Sequence, residues 1–275
     1  MNTIEEKIIK FNPRDFDGKS KNDAPPKSMF YAGIGEDLVP EGIFERFPLL
    51  IPAVGDHYWR KHNEHKKLLI VGESNYLRPN EYLDLKQIYT EPERWYKSEA
   101  DRDAISNLLG TEDIKKRFSN WKGSRHTGKL RRVIREVLDD CKVGYDKKYP
   151  LNEVAYYNYF LRPAEKIGGR YYFGNCCKDL DEKVAYSALS EIIYRLEANI
   201  VIFASTLAYE KFDKFHKDKT CNYYPAPEHI FKVDHPSYWD TAQEKKYGKN
   251  NREEFRKLLQ KYWVNPEDQW IDHCE

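Results

Sequence analysis

Leu68-Leu69-Ile70-Val71-Gly72-Glu73-Ser74-Asn75-Tyr76 decides the fold. A short apolar run is closed by glycine and breaks at once into residues that accept, donate or hold a proton. An uninterrupted apolar run of this length reads as a strand buried on both faces, as in a parallel sheet. Phe231-Lys232-Val233-Asp234-His235-Pro236-Ser237-Tyr238-Trp239 has the same form. Open parallel sheets bind ligands outside the carboxyl ends of their strands. As strands of one sheet, the two runs bring Glu73, Ser74, Asn75 and His235 to one crevice.

Strand and helix patterns alternate between and around these runs. Strands are expected at residues 67–72, 153–158, 199–204 and 230–233, each an apolar, aromatic or β-branched run. Helices are expected at 129–138, 179–197, 206–215 and 252–263. In the first, Leu130, Val133, Ile134, Val137 and Leu138 form one stripe. In the second, Val184, Ala188, Leu189, Ile192, Ile193 and Leu196 face inward. Strands alternating with helices imply an α/β fold. The expectation is a three-layer α/β/α sandwich around a central four-stranded parallel sheet, with right-handed crossovers. Residues 1–50 carry turn chemistry and read as a peripheral N-terminal arm, docked through 47–51. Residues 51–275 read as a single domain with a mostly helical insert at about 80–150.

Composition narrows the class. The chain has 275 residues, is 33% charged and has a net charge of +1, so global charge selects no partner. No apolar run approaches the roughly 18 residues of a spanning helix, and the N-terminus has no signal-peptide core. Five cysteines without a C-x-x-C pair argue against a disulfide framework and a four-cysteine metal site. The expectations are a cytoplasmic protein with no cofactor, no metal and no membrane partner.

The expected strands end at Gly72, Asn158, Ser205 and Asp234-His235. Gly72 alone reads as a tight turn with close backbone approach. Asn158 interrupts the aromatic run Ala155-Tyr156-Tyr157-Asn158-Tyr159-Phe160, where a buried amide needs partners. His235-Pro236-Ser237 follows an apolar strand directly.

Taken together, Gly72-Glu73-Ser74-Asn75-Tyr76, Asn158 and His235-Pro236-Ser237 resemble the uracil-DNA glycosylase superfamily in order and placement over residues 67–240. The family carries a first motif of the G-Q-D-P-Y or G-E-A-P-G kind, a strand ending in asparagine, and a last H-P-S motif. The resemblance implies hydrolysis of the N-glycosidic bond of a flipped-out base, with single- or double-stranded DNA, or a nucleobase or nucleotide, as partner. Glu73 falls at the glutamate of G-E-A-P-G. Ser74 and Asn75 fall at the aspartate and proline of G-Q-D-P-Y, which is a departure from that pattern. His235 matches the histidine that stabilises the departing base anion. Catalytic candidates are thus Glu73, Ser74 and His235. Base-binding candidates are Gly72, Asn75, Tyr76, Asn158 and Ser237. Tyr238 and Trp239 stand where the family places its wedge, and Lys245, Lys246 and Lys249 are suited to phosphates.

Two other readings fit the same residues. One is a base-, nucleotide- or DNA-binding module on this fold that does not cleave. The other is a serine esterase of the GDSL type, whose G-D-S-N block Gly72-Glu73-Ser74-Asn75 resembles, with Ser74 as nucleophile and His235 as base. In the insert, Arg94-Trp95-Tyr96, Arg117-Phe118, Trp121-Lys122 and Arg125-His126 set aromatics beside cations. Such pairs stack on bases or cover a core.

Overall fold

The computed structural model describes residues 38–39, 42–47, 50–59, 65–76, 90–101, 125–164, 166–167, 170–171, 173–218, 224–239 and 250–264. Lys245, Lys246 and Lys249 lie outside the described residues, as do Arg117-Phe118 and Trp121-Lys122.

In chain order the main elements are α1 (Ile43–Arg46), β1 (Ala53–Val54), β2 (Leu68–Tyr76), α2 (Pro92–Lys97), α3 (Arg125–Asp140) and β3 (Ala155–Ala164). A small hairpin follows, β4 (Lys166–Ile167) with β5 (Arg170–Tyr171). Then come α4 (Asp179–Arg195), β6 (Ile200–Phe203), α5 (Thr206–His216), β7 (His229–Lys232) and α6 (Asn251–Leu258). A π-helical turn, Leu259–Trp263, extends α6.

The protein is mixed α/β, with a five-stranded sheet in the order β1-β3-β2-β6-β7. The expected parallel strands are all present: β2 pairs with β3 and β6, and β6 with β7. The expected count of four is corrected by β1, which pairs antiparallel with β3 through two residues. A strand that short leaves no periodicity to read. Leu68 to Val71 are fully buried, as a central strand covered on both faces requires.

The sequence reading ends β2 at residue 72, but pairing continues. Ser74 sits opposite Phe160 and Tyr76 opposite Ala164, with a register shift between them. Glu73, Ser74 and Asn75 therefore lie within a strand and not in a loop. They inherit a strand's rigidity, which suits side chains that must hold position.

Helix α4 packs on β3, and α5 packs on β2, β6 and α4. The start of α4 is fixed by Asp181, which accepts from the Lys178 backbone N–H at 2.9 Å. Asp181 also pairs with Arg162 of β3 at 2.8 and 2.5 Å, and both side chains are fully buried. The Tyr96 hydroxyl donates to the same carboxylate at 3.0 Å, tying in α2. Each buried charge has a partner and added hydrogen bonds, the condition under which burial is tolerated.

Docking of the N-terminal segment begins earlier than residue 47, because Val39, Ile43 and Phe44 are already buried in the core. Phe47 stacks on Trp95, and the Arg46 guanidinium donates to the Trp95 and Ser98 carbonyls. Trp95 and Tyr96 are fully buried. The Arg94-Trp95-Tyr96 aromatics thus cover the core and present no ring to a base. Among the described residues, no helix is long and apolar enough to cross a membrane.

At the amino end of the sheet, Glu153 precedes β3 and is about 1% exposed. His57 Nδ1 meets its carboxylate at 2.6 Å and His65 Nε2 at 3.1 Å. Burial raises a carboxyl pKa, but these two hydrogen bonds outweigh it and hold Glu153 below its ordinary 4.5. A depressed carboxyl pKa stabilises the fold above the ordinary value, and this is lost as pH falls through the folded pKa. Glu153→Gln should therefore cost about 3 kcal/mol at neutral pH, roughly 6–12 °C in Tm. Melting curves from pH 7 to pH 3 should show the gap closing below pH 4.5.

Candidate functional site

The four parallel strands stand in the order second, first, third, fourth along the sheet. The chain leaves β2 toward β3 on one side, then returns to β6 on the other. Such a reversal opens a crevice at the carboxyl ends of the two central strands. The strand exits step in register there: Ala204 N–H donates to the Val71 carbonyl and Val233 N–H to the Phe203 carbonyl, both at 2.8 Å.

Glu73 of β2 and Ser205, just past β6, meet across this reversal. The Ser205 hydroxyl donates to Glu73 Oε2 at 3.0 Å and accepts from the Ala208 backbone N–H at 3.3 Å. Ser205 is thus the N-cap of α5, and Glu73 sits one hydrogen bond from a helix N-terminus. The Phe173 backbone N–H approaches Glu73 Oε1 at 3.5 Å, at the outer limit of a hydrogen bond. Phe173 is held by stacking on Phe160 at 4.2 Å and by the Arg162 guanidinium 5.2 Å from its ring centre. Burial pushes the Glu73 carboxyl above its ordinary 4.5, and the bonds from Ser205 and Phe173 only partly offset it. A half-buried carboxyl of raised pKa at a strand end is equipped for proton transfer.

Beside it lies a chain of amides. The Tyr156 hydroxyl donates to Asn158 Oδ1, and Asn158 Nδ2 donates to Asn75 Oδ1, both at 2.9 Å. Gly72 gives this chain its room. A Cβ there would stand 2.5 Å from Asn158 Oδ1 and closer still to the Tyr156 hydroxyl. Gly72 lies inside β2, so clearance replaces the tight turn read from the sequence. Ser74 Oγ and Asn75 Nδ2 are buried and have no hydrogen-bond partner among the described residues. Tyr76 pairs with Ala164 through the backbone, and its side chain lies outside the described residues.

The turn after β7 carries the third group. Asp234 accepts from Thr206 Oγ1 at 3.2 Å and from Asn251 Nδ2 at 3.1 Å, fixing the strand exit to the starts of α5 and α6. His235 Nδ1 accepts from the Ser237 backbone N–H at 3.2 Å and faces the Ser237 hydroxyl at 2.7 Å. An acceptor at Nδ1 places the ring proton of neutral His235 on Nε2. Trp239 is fully buried, packs on Phe255, and donates from Nε1 to the Asp234 carbonyl at 2.7 Å. It latches the turn and is not a wedge. Tyr238, 56% exposed, keeps a free face beside His235.

Glu73 and Ser205 meet directly, as do Asn75 and Asn158. The Thr206–Asp234 bond brings the turn holding His235 to the same edge. Ser74 is not paired with His235, because its hydroxyl makes no hydrogen bond among the described residues and sits in a paired strand. The serine-esterase dyad is therefore not assembled. Cys177 offers no alternative nucleophile: burial, then Asp181 and Glu182, push its thiol up to about 12. Among the described residues, no group of three or more histidines, cysteines or carboxylates is placed to hold a metal. An open groove of about 870 Å³ runs beside the site, lined by Thr206, Lys232, Asp234, Asn251, Lys257 and Tyr262. Glu73 and Asn158 do not line it.

Sequence reasoning missed Ser205, Tyr156 and Phe173 as parts of the site. A serine just before a helix marks an N-cap, but its reach to Glu73 depends on strand order. No protein-family model and no curated protein matches this chain.

A carboxyl of raised pKa stabilises the fold only while protonated. That contribution is complete below the ordinary 4.5 and is lost as pH rises through the folded pKa. At pH 7 the wild type bears the cost of the buried charge. Glu73→Gln should therefore raise Tm by a few degrees at pH 7, and thermal melts should show the advantage vanishing below pH 4.5.

Proposed function

We propose that this chain is a base-recognising hydrolase of uracil-DNA glycosylase type, built on the corresponding α/β/α sandwich. It cleaves the N-glycosidic bond of a flipped-out uracil or other deaminated or modified base in DNA. The observation that carries this reading is the pairing of a proton-active carboxyl, Glu73, with a hydrogen-bonded amide pair, Asn75–Asn158, at the reversal point of a parallel sheet. The first group suits chemistry at a sugar carbon, and the second suits recognition of a base edge.

Breaking the C1′–N bond sends its electron pair to the base and leaves the sugar cationic. Glu73 stabilises that cation and takes a proton from the water that bonds to C1′. His235, with its proton on Nε2, donates to an oxygen of the departing base anion, where preorganised donors lower the barrier most. Tyr238 fills the gap left in the DNA when the base leaves the stack.

One observation favours the non-cleaving relative: Ser74 occupies the aspartate position of the G-Q-D-P-Y pattern, and its hydroxyl is buried without a partner among the described residues. One assay separates the two. Oligonucleotides carrying uracil, hypoxanthine or xanthine are incubated with the protein, in single- and double-stranded form, and then treated with alkali. Strand breaks are expected, reduced about 10²–10⁴-fold in Glu73→Gln and about 10²–10³-fold in His235→Ala. Binding without breaks in any substrate selects the non-cleaving module. Wild-type rates in both variants place the chemistry elsewhere.

A further inference from the structure

Resting on the nucleic-acid partner in the reading above, we infer that the N-terminal half of α3 is a docking surface for a phosphodiester strand. Arg125, Gly128, Arg132 and Arg135 form its seat, beside the turn that carries His235 and Tyr238.

The charge of α3 is divided along its length. Residues 125–135 hold five cations, Arg125, Lys129, Arg131, Arg132 and Arg135, and no aspartate or glutamate. The acids of the helix, Glu136, Asp139 and Asp140, come only after them. Each is already engaged: Glu136 with Arg252 at 2.5 Å, Asp140 with Arg256 at 2.6 Å, and Asp139 with the Tyr145 hydroxyl at 2.9 Å. A helix N-terminus is the positive end of its dipole and favours acids in the first turn. α3 has none there. Cations in that place oppose the dipole and repel one another, a cost that packing alone does not explain.

The crowding is visible in the side chains. Arg131 and Arg135 lie one turn apart and donate to backbone carbonyls, of Lys148 at 2.8 Å and of Lys147 at 3.4 Å. Burial, then the Arg135 charge, lowers the Arg131 pKa. Arg135 Nε is buried with no partner among the described residues. Arg132 is exposed and makes no ion pair or hydrogen bond among the described residues. An anion laid along this face relieves the repulsion.

Leu130, Val133, Ile134 and Val137 turn the other side of α3 into the core. Positions 125, 128, 132 and 135 recur every three or four residues, so they share one outer stripe about 15 Å long. Gly128 marks the line of contact. Glycine is a poor helix residue, and the protein does not need one here: among the described residues, a Cβ at 128 would meet nothing within 4 Å. Such a glycine leaves room for a ligand backbone to come close.

Location selects the ligand. α3 packs on the turn Pro236–Tyr238, and the Lys129 ammonium donates to the Trp239 carbonyl. The stripe therefore lies beside the exposed ring of Tyr238, at the edge of the sheet where the base is read. A strand whose base enters the site carries its neighbouring phosphates across α3. Guanidinium forks pair with phosphate oxygens bidentately, and successive arginines suit a repeating anion.

The test titrates the full chain against labelled single strands, with and without uracil, by fluorescence anisotropy from low to physiological salt. Arg132→Gln should weaken every strand alike, about three- to tenfold at low salt, and reduce the slope of log affinity against log salt by about 0.7. Gly128→Gln should weaken binding at least about threefold. Its Tm should hold or rise, because glutamine is the better helix former. Lys217→Ala removes the same charge at the far end of α5 and should leave the slope unchanged. Unlabelled strand should displace the bound strand at least about tenfold better than poly-glutamate of equal charge. A wild-type slope in Arg132→Gln, or unchanged affinity in Gly128→Gln, overturns the surface and leaves the base-recognising reading standing. Equal displacement by poly-glutamate overturns the assignment of the stripe to a phosphodiester. Absence of binding to every strand by the wild type overturns that reading and the surface with it.

Discussion

The site depends on one constraint, the confinement of β2. Parallel partners flank it on both edges, and its first four residues are completely buried. Such a strand must be apolar while it crosses the core, because a polar side chain there would have no water to replace its lost hydrogen bonds. The run Leu68-Leu69-Ile70-Val71 obeys this, and Glu73 follows only one residue later. The strand does not end where its apolar run ends, because β3 pairs with it as far as Tyr76. Polar side chains are thereby carried on rigid backbone to the mouth of the sheet. They must be satisfied by neighbours or by a ligand.

Buried charges show which of these outcomes each region adopts. Arg162 and Asp181 neutralise each other and are joined by the Tyr96 hydroxyl and the Lys178 amide. Glu153 is bracketed by two histidines that hold it ionised. These clusters lock elements together. Glu73 receives one hydroxyl and one distant amide, too little to offset its burial, and its pKa rises. Among the described residues, Asn75 and Ser74 beside it are also incompletely satisfied. The contrast sets the carboxyl edge apart from the rest of the molecule, since unsatisfied polarity gathers where function needs it.

Much of the fold was legible because its strands are continuous apolar runs and its helices carry clean stripes. The expected helix at 129–138 lies within α3 (Arg125–Asp140), and that at 179–197 nearly coincides with α4 (Asp179–Arg195). β1 was illegible, since two residues have no period. Glu73, Asn75, Asn158 and His235 were legible as chemistry where apolar runs break. Only His235 follows a strand: β2 runs on past Glu73 and Asn75, and β3 past Asn158, where the sequence reading ended it. Their pairing was not legible. That Asn158 spends both ends of its amide on Tyr156 and Asn75 follows from the register of β2 against β3, in which Gly72 sits opposite Asn158. The Trp239 wedge failed for a similar reason: its sequence position is that of a surface turn, but its indole folds back to close that turn.

The most direct test of the account follows the side-chain amide of Asn75. Protein labelled with nitrogen-15 at asparagine gives one pair of NH2 signals per residue, and the spectrum of Asn75→Asp identifies the pair from position 75. Free uracil and free hypoxanthine are then titrated in. The Asn75 pair should shift saturably with at least one of them, with a smaller shift at Asn158. An Asn75 pair that stays still while other asparagine signals move would contradict it, because the base would then be bound away from the carboxyl end of β2.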